Sequence, residues 1–381
     1  MLRAGGIDVI RRRTMLPAIL AVAAVGGAVT EARAQGCILI RGSAPVIGSP
    51  GSTYLRPGEW ELDVSLRQST ADRHYSGDVF QAQRTALGTN VVNKQHILLF
   101  NVSHAFTSRF STAVSVPIVS ASWSIPSPIA PAPGPRATQH GRGLGDLYAI
   151  GRYWIFDPLT HARFNLSVGA GVKVPTGGAR VTDVFPDISG ASPAEKAVDQ
   201  SVQPGDGGWG GQFELQGFSR VGPLFAFGSA NYVTNPRNFN ETPSILVGLG
   251  RPSATQPMRN INSVPDQYIV RGGAGVPIWR GLGASLAVRV EGVPRYDLLG
   301  RSDGFKRPGR EVFLEPGITY SQGHSTLQLN LPHGVYRYRA PDPYTGAAGD
   351  ATFPDWVVLG TYAYRFGKVK HVAMPTPPTQ P

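Results

Sequence analysis

Cys37 is the only cysteine in the chain, so no internal disulfide can form. Charge is sparse at 16% of residues, and no run of lysines and arginines is interleaved with aromatics, which argues against a nucleic-acid partner despite a net +11. Beyond the N-terminus no apolar run approaches the roughly 18–20 residues of a membrane helix. A helical membrane protein is thereby excluded, but a membrane barrel is not, because its signal per strand is much weaker. His104, His140 and His333 lack metal-ligand spacing, so no metal is expected. Gly323-His324-Ser325, the one adjacent His-Ser pair on a hairpin, has no acidic or amide partner nearby, and no catalytic residue, enzyme activity or cofactor is expected.

The first residues read as an export signal. Arg11-Arg12-Arg13, the apolar stretch Met15 to Val29 and Ala32-Arg33-Ala34 give the three regions of a cleavable peptide over 1–34. Residues 35–58, rich in Gly, Pro and Ser, form a flexible periplasmic leader in which Gly36-Cys37 leaves acylation open. Residues 368–381 read as a disordered tail.

Between these lies a pattern set by Arg163 to Gly178. Phe164, Leu166, Val168, Ala170, Val172 and Val174 fall on one face of an extended strand, and Asn165, Ser167, Gly169, Gly171 and Lys173 on the other. Eleven further segments repeat it: 60–67, 95–106, 110–122, 145–156, 209–220, 223–233, 266–277, 283–293, 312–320, 327–331 and 356–367. The segment at 223–233 is the least decisive. Joints of a few residues alternate without exception with joints of roughly fifteen to thirty residues rich in Gly, Pro, Asn and Asp. A soluble sandwich has no reason to alternate in this way. An all-β, transmembrane antiparallel up-and-down barrel does, with short periplasmic turns, long extracellular loops, an even strand count and both ends in the periplasm. The expected architecture is therefore about twelve strands over 59–367 in the outer membrane of a Gram-negative cell, in contact with its lipid. Trp60, Phe110, Tyr153, Phe164, Tyr320 and Phe366 would ring the periplasmic rim, and Tyr232, Tyr268 and Trp356 the outer one.

Pro117, Pro277, Pro316 and Pro332 fall inside proposed strands, where each removes a ladder hydrogen bond. Pro316 and Pro332 share one hairpin and are expected to weaken two rungs of it, where a kink would open the wall sideways.

Segments 143–156, GLGDLYAIGRYWIF, and 166–178, LSVGAGVKVPTGG, resemble outer-membrane proteins of the MetA-pathway phenol-degradation family. Gly143, Gly145, Asp146, Pro175, Thr176 and Gly177 are the matching positions. The resemblance implies a barrel that moves aromatic or other hydrophobic compounds, by analogy with long-chain fatty-acid transporters, and carries over no functional residue.

The polar faces place Glu61, Asp63, Arg67, Asp146, Arg152, Lys173, Glu214, Arg271, Arg289, Glu291 and Glu315 in the lumen. Both signs occur, as buried charges require. They form either a lattice filling a narrow bore or a polar constriction that selects solutes. The expected function is a channel for small molecules, hydrophobic or aromatic ones included. The alternatives are a general or weakly anion-preferring porin and a structural or adhesive barrel with a closed lumen. The solute and the oligomeric state are not legible.

Overall fold

The computed structural model describes residues 54–127, 133–186, 193–341, 346 and 349–368. The expected signal peptide, most of the leader, nearly all of the tail and part of the loop at 341–350 lie outside them.

Fourteen strands build the wall: β1 (Trp60–Ser76), β2 (Val92–Ala105), β3 (Phe110–Pro126), β4 (Arg136–Leu144), β5 (Leu147–Trp154), β6 (Phe164–Val174), β7 (Gly210–Val221), β8 (Leu224–Thr234), β9 (Gln267–Trp279), β10 (Leu282–Val293), β11 (Gly309–Gln322), β12 (Ser325–Asn330), β13 (His333–Arg339) and β14 (Asp350–Phe366). β4 with β5, and β12 with β13, each make one interrupted span, so the wall has twelve staves in simple meander order. β14 returns to β1 in a ladder from Trp60 opposite Phe366 to Ser76 opposite Asp350, which closes the sheet and leaves no edge among the staves.

The alternation that defines the strands sorts their side chains to the two faces. Leu62, Leu66, Val102, Val114, Ile118, Leu166, Val168, Leu286, Val288 and Leu327 stand exposed outside, while Asp63, Asn101, Ser115, Ser167, Gln216 and Gln328 are buried inside. At the short-turn end Trp60, Phe110, Tyr153, Phe164, Tyr320 and Phe366 are all exposed outside, and Trp60 stacks on Phe366. Three of the turns there need only two residues, built on Gly222, Gly281 and Gly323 with positive φ of 59°, 75° and 59°. At Gly281 a Cβ would stand 2.1 Å from the Ser321 carbonyl oxygen, so only glycine fits.

Toward the long loops the sheet runs further than the apolar pattern indicates. β3 continues to Pro126 and β4 begins at Arg136, so most of an expected loop is sheet; β13 and the start of β14 replace another. The physical reason is an inversion of phase. From about residue 119 the inward positions Val119, Ala121 and Trp123 are apolar and buried, and the outward Ser120 and Ser122 are polar. Beyond the hydrocarbon layer the outer face meets water, and a search for apolar side chains outside loses the strand there.

Pro277 lies within β9 at a bulge in its ladder with β10, and the other three prolines lie at the wall's interruptions. Pro117 faces the gap between β4 and β5, where Gly145 N–H donates to the Pro117 carbonyl at 2.8 Å. Pro316 faces the gap between β12 and β13, where Leu331 N–H donates to its carbonyl at 2.9 Å. Pro332 sits in that same gap, so the two prolines share one interruption rather than weakening two separate rungs.

Candidate functional site

The interior is stratified. Nearest the short turns it is divided, aromatic along β5, β7 and β8 and polar along the closing seam and its neighbours. Arg365 Nε donates to Glu61 Oε2 at 2.6 Å across the closing seam, and Ser65 and Thr361 hydroxyls meet at 2.9 Å. Asn101 Nδ2 donates to Asp63 Oδ2 at 2.8 Å and its Oδ1 accepts from Ser115 Oγ at 2.8 Å. Arg152 grips Glu214 with two nitrogens, at 2.6 and 3.1 Å. That fork matches the planar guanidinium to the carboxylate and satisfies both oxygens of a nearly inaccessible anion.

Midway, charges tie staves together across the bore. Arg67 on β1 reaches Glu291 on β10 at 2.5 and 3.2 Å. These staves are four apart round the ring, so the pair is a chord through the lumen. Arg289 also binds Glu291 at 2.8 Å, Arg271 binds Glu315 at 2.8 Å, and Arg289 stands 3.7 Å from Glu315. Glu315 and Phe313 beside it are wholly buried.

The outer third is filled by loops. Residues 198–208, between β6 and β7, fold down against the inner face of β2 to β5. Asn93 Nδ2 donates to Ser201 Oγ at 2.6 Å, Gln95 Nε2 to the Ser201 carbonyl at 3.2 Å, and Asp199 N–H to Gln139 Oε1 at 2.9 Å. Val198 and Val202 join Phe185, Ile245 and Phe305 from the loops and Ile97, Val119, Ala121 and Trp123 from the wall in one apolar cluster. A Cβ at Gly141 would lie 1.9 Å from the Val202 carbonyl oxygen, so the wall is bare where the loop presses on it. Arg307, from the loop after β10, clamps Asp199 with two nitrogens at 2.9 and 2.5 Å. Lys306 and Asp297 pair at 2.9 Å, both about 1% exposed, and burial drives the lysine below its ordinary pKa while Asp297 pulls the other way.

The residues behind the family resemblance form the knot that holds this loop down. Gly145 would exchange two bonds with residue 117, but Pro117 has no N–H to give. Thr176 Oγ1 donates to the Gly145 carbonyl at 3.0 Å instead, and accepts from Leu147 N–H at 3.0 Å. Asp146, completely buried, takes Gly177 N–H on one carboxylate oxygen and Asp206 N–H on the other, each at 3.0 Å. Lys173 pairs with the Asp206 carboxylate. Of the eleven residues placed in the lumen from sequence, Asp146 and Lys173 therefore face a loop, and the other nine face the bore or one another.

Sequence reasoning did not find Asp199, Asp206 or Arg307, which lie in loops without period. It also did not find an aromatic cluster at the short-turn end, made by Trp154, Phe218, Phe225 and Phe227 with Tyr54 against it. A signal was present: Phe225 and Phe227 put apolar residues on the inward face of β8, and this is why its alternation is weak. Among the described residues no group of three or more His, Cys, Asp or Glu could hold a metal ion.

No family model matches the chain, and no curated protein does. Among solved structures, the COG4313 outer membrane channel from Pseudomonas putida F1 is similar at a TM-score of 0.55 and 11% identity, over 85% of this chain and all of that one. A FadL homologue from Pseudomonas aeruginosa aligns over 81% of this chain and 90% of its own, at TM-score 0.41 and 8% identity. The P. putida toluene transporter TodX aligns over 84% and 92%, at 0.35 and 10%. The first likeness is one of fold, and the last two are too weak to carry weight. This chain folds as a closed twelve-stranded antiparallel barrel of the kind found in outer-membrane channels.

Proposed function

We propose that the protein is an outer-membrane channel admitting small hydrophobic or aromatic molecules. The observation that carries this reading is the order of side chains along the barrel interior: an apolar cluster packed under the outer loops, a cross-linked belt of charge, and an aromatic cluster at the far mouth. A small apolar solute that replaces loop or leader side chains on either cluster gains by leaving water, roughly 25 cal/mol per Å² of apolar surface buried. Free ions and sugars gain nothing there and meet a belt whose charges are already paired. The resemblance at 143–156 and 166–178 to the MetA-pathway phenol-degradation family supports the same solute class.

The filled outer mouth favours one rival, a barrel whose lumen stays closed and whose loops do the work. Vesicles reconstituted with the protein separate the readings. Uptake of labelled phenol or toluene without swelling in sugars is the expected result. Sugar-driven swelling would mean a porin, and neither signal would mean the closed barrel.

A further inference from the structure

We infer that the short-turn mouth carries a binding site for a phenol, occupied in this structure by the chain's own Tyr54. The inference deepens the channel reading and rests on it for its role in transport, although the site itself does not.

Tyr54 belongs to the segment before β1, not to the wall. That segment is tied down just beyond it, where Gly58 N–H donates to the Ala105 carbonyl at 2.7 Å and Arg56 N–H to Glu59 at 2.8 Å. From this tether the tyrosine ring reaches into the barrel and meets Trp154 edge to face, with centroids 6.4 Å apart and planes at 71°. Its hydroxyl donates to the Pro158 carbonyl in the turn after β5, at 2.8 Å. Both features of a phenol are thus read: the ring by an aromatic wall, the O–H by a fixed acceptor.

The wall continues inward. Phe218 stands edge-on to Trp154 at 5.8 Å, Phe225 stacks on Phe218 at 5.8 Å, and Phe227 follows at 6.1 Å. Guanidinium groups cover the file from the lumen side, Arg220 at 5.3 Å over Phe225 and Arg271 at 4.7 Å over Phe227. Four inward aromatics drawn from three staves, β5, β7 and β8, are a costly way to fill a polar lumen with nothing to bind. A tethered ring competes at an effective concentration set by its short leash, which is millimolar for flexible tethers, so it yields only to a solute of comparable supply.

The test uses the full chain purified from membranes in detergent, with 4-fluorophenol followed by fluorine NMR. If Tyr54 fills the site in roughly nine molecules of ten, Tyr54→Ala should bind the probe about tenfold more tightly than the parent. Tyr54→Phe, which keeps the competing ring, should bind more weakly than Tyr54→Ala. Fluorobenzene, which has no donor for Pro158, should bind Tyr54→Ala several-fold more weakly than the phenol does. Adding Trp154→Leu to Tyr54→Ala should abolish the gain, with heat-dependent gel mobility confirming a folded barrel. Unchanged affinity in Tyr54→Ala, or an undiminished gain after Trp154→Leu, overturns the site and leaves Tyr54 as an anchor of the leader. Vesicle uptake is a separate measurement: binding without uptake would sink the channel and spare the site, and uptake without Tyr54-dependent binding would do the reverse.

Discussion

Thr176 does two things with one hydroxyl. It accepts from Leu147 and donates to Gly145, and the second bond replaces what Pro117 cannot supply. An unsatisfied buried group costs about 1–3 kcal/mol, so Thr176→Val should lower stability by that order, while Thr176→Ser should restore most of it. Unfolding titrations in lipid read the difference, and equal stability of all three proteins would show that water fills the gap instead. At this scale the sequence was partly legible. Asp146, Thr176 and Gly177 stood out as a pattern, and Asp146 was assigned to the lumen. Their joint task, pinning a loop thirty residues further on through Asp206, depends on contacts that no periodicity records.

Elements were far more legible than contacts, because one physical rule governs them. Where a strand crosses hydrocarbon, one face must be apolar and the other is free to be polar, and all twelve staves were visible through that alternation. The rule lapses above the lipid, which is why the alternation does not reveal β4, β13 and the outer ends of β3 and β14. It also weakens where both faces are apolar, as in β8. The same rule predicts the response to charge. Val168→Arg on β6 and Leu286→Arg on β10, both facing outward, should each cost about 2–4 kcal/mol near the midplane. Ser65→Arg, facing inward beside Glu61 and Asp63, should cost less than half as much. Refolding into lipid vesicles measures all three, and equal penalties would mean that the faces are reversed.

For the molecule as a whole, turn length assigns the two ends to opposite sides of the membrane. Arg180 and Arg301 stand exposed in long loops, with side-chain exposures of 66% and 81%. Arg163 and Arg280 are exposed in short turns. Trypsin added to intact cells should therefore cut, where it cuts at all, after Arg180 or Arg301, and should reach Arg163 and Arg280 only once the outer membrane is breached. Cleavage at the short turns of intact cells would turn the barrel upside down.

The seam between β1 and β14 differs from the other ladders only in joining the two ends of the stave sequence: Trp60 lies opposite Phe366 as neighbours do in any hairpin. A ring of staves has no intrinsic beginning. A short linker from residue 367 back to residue 59 would make the seam one more short turn, and the chain could then be opened at Gly222-Pro223 between β7 and β8. Every rung of the wall would survive this reordering of the gene. The site at Tyr54 would not survive, because a chain joined from 367 straight to 59 omits the segment that carries the tyrosine.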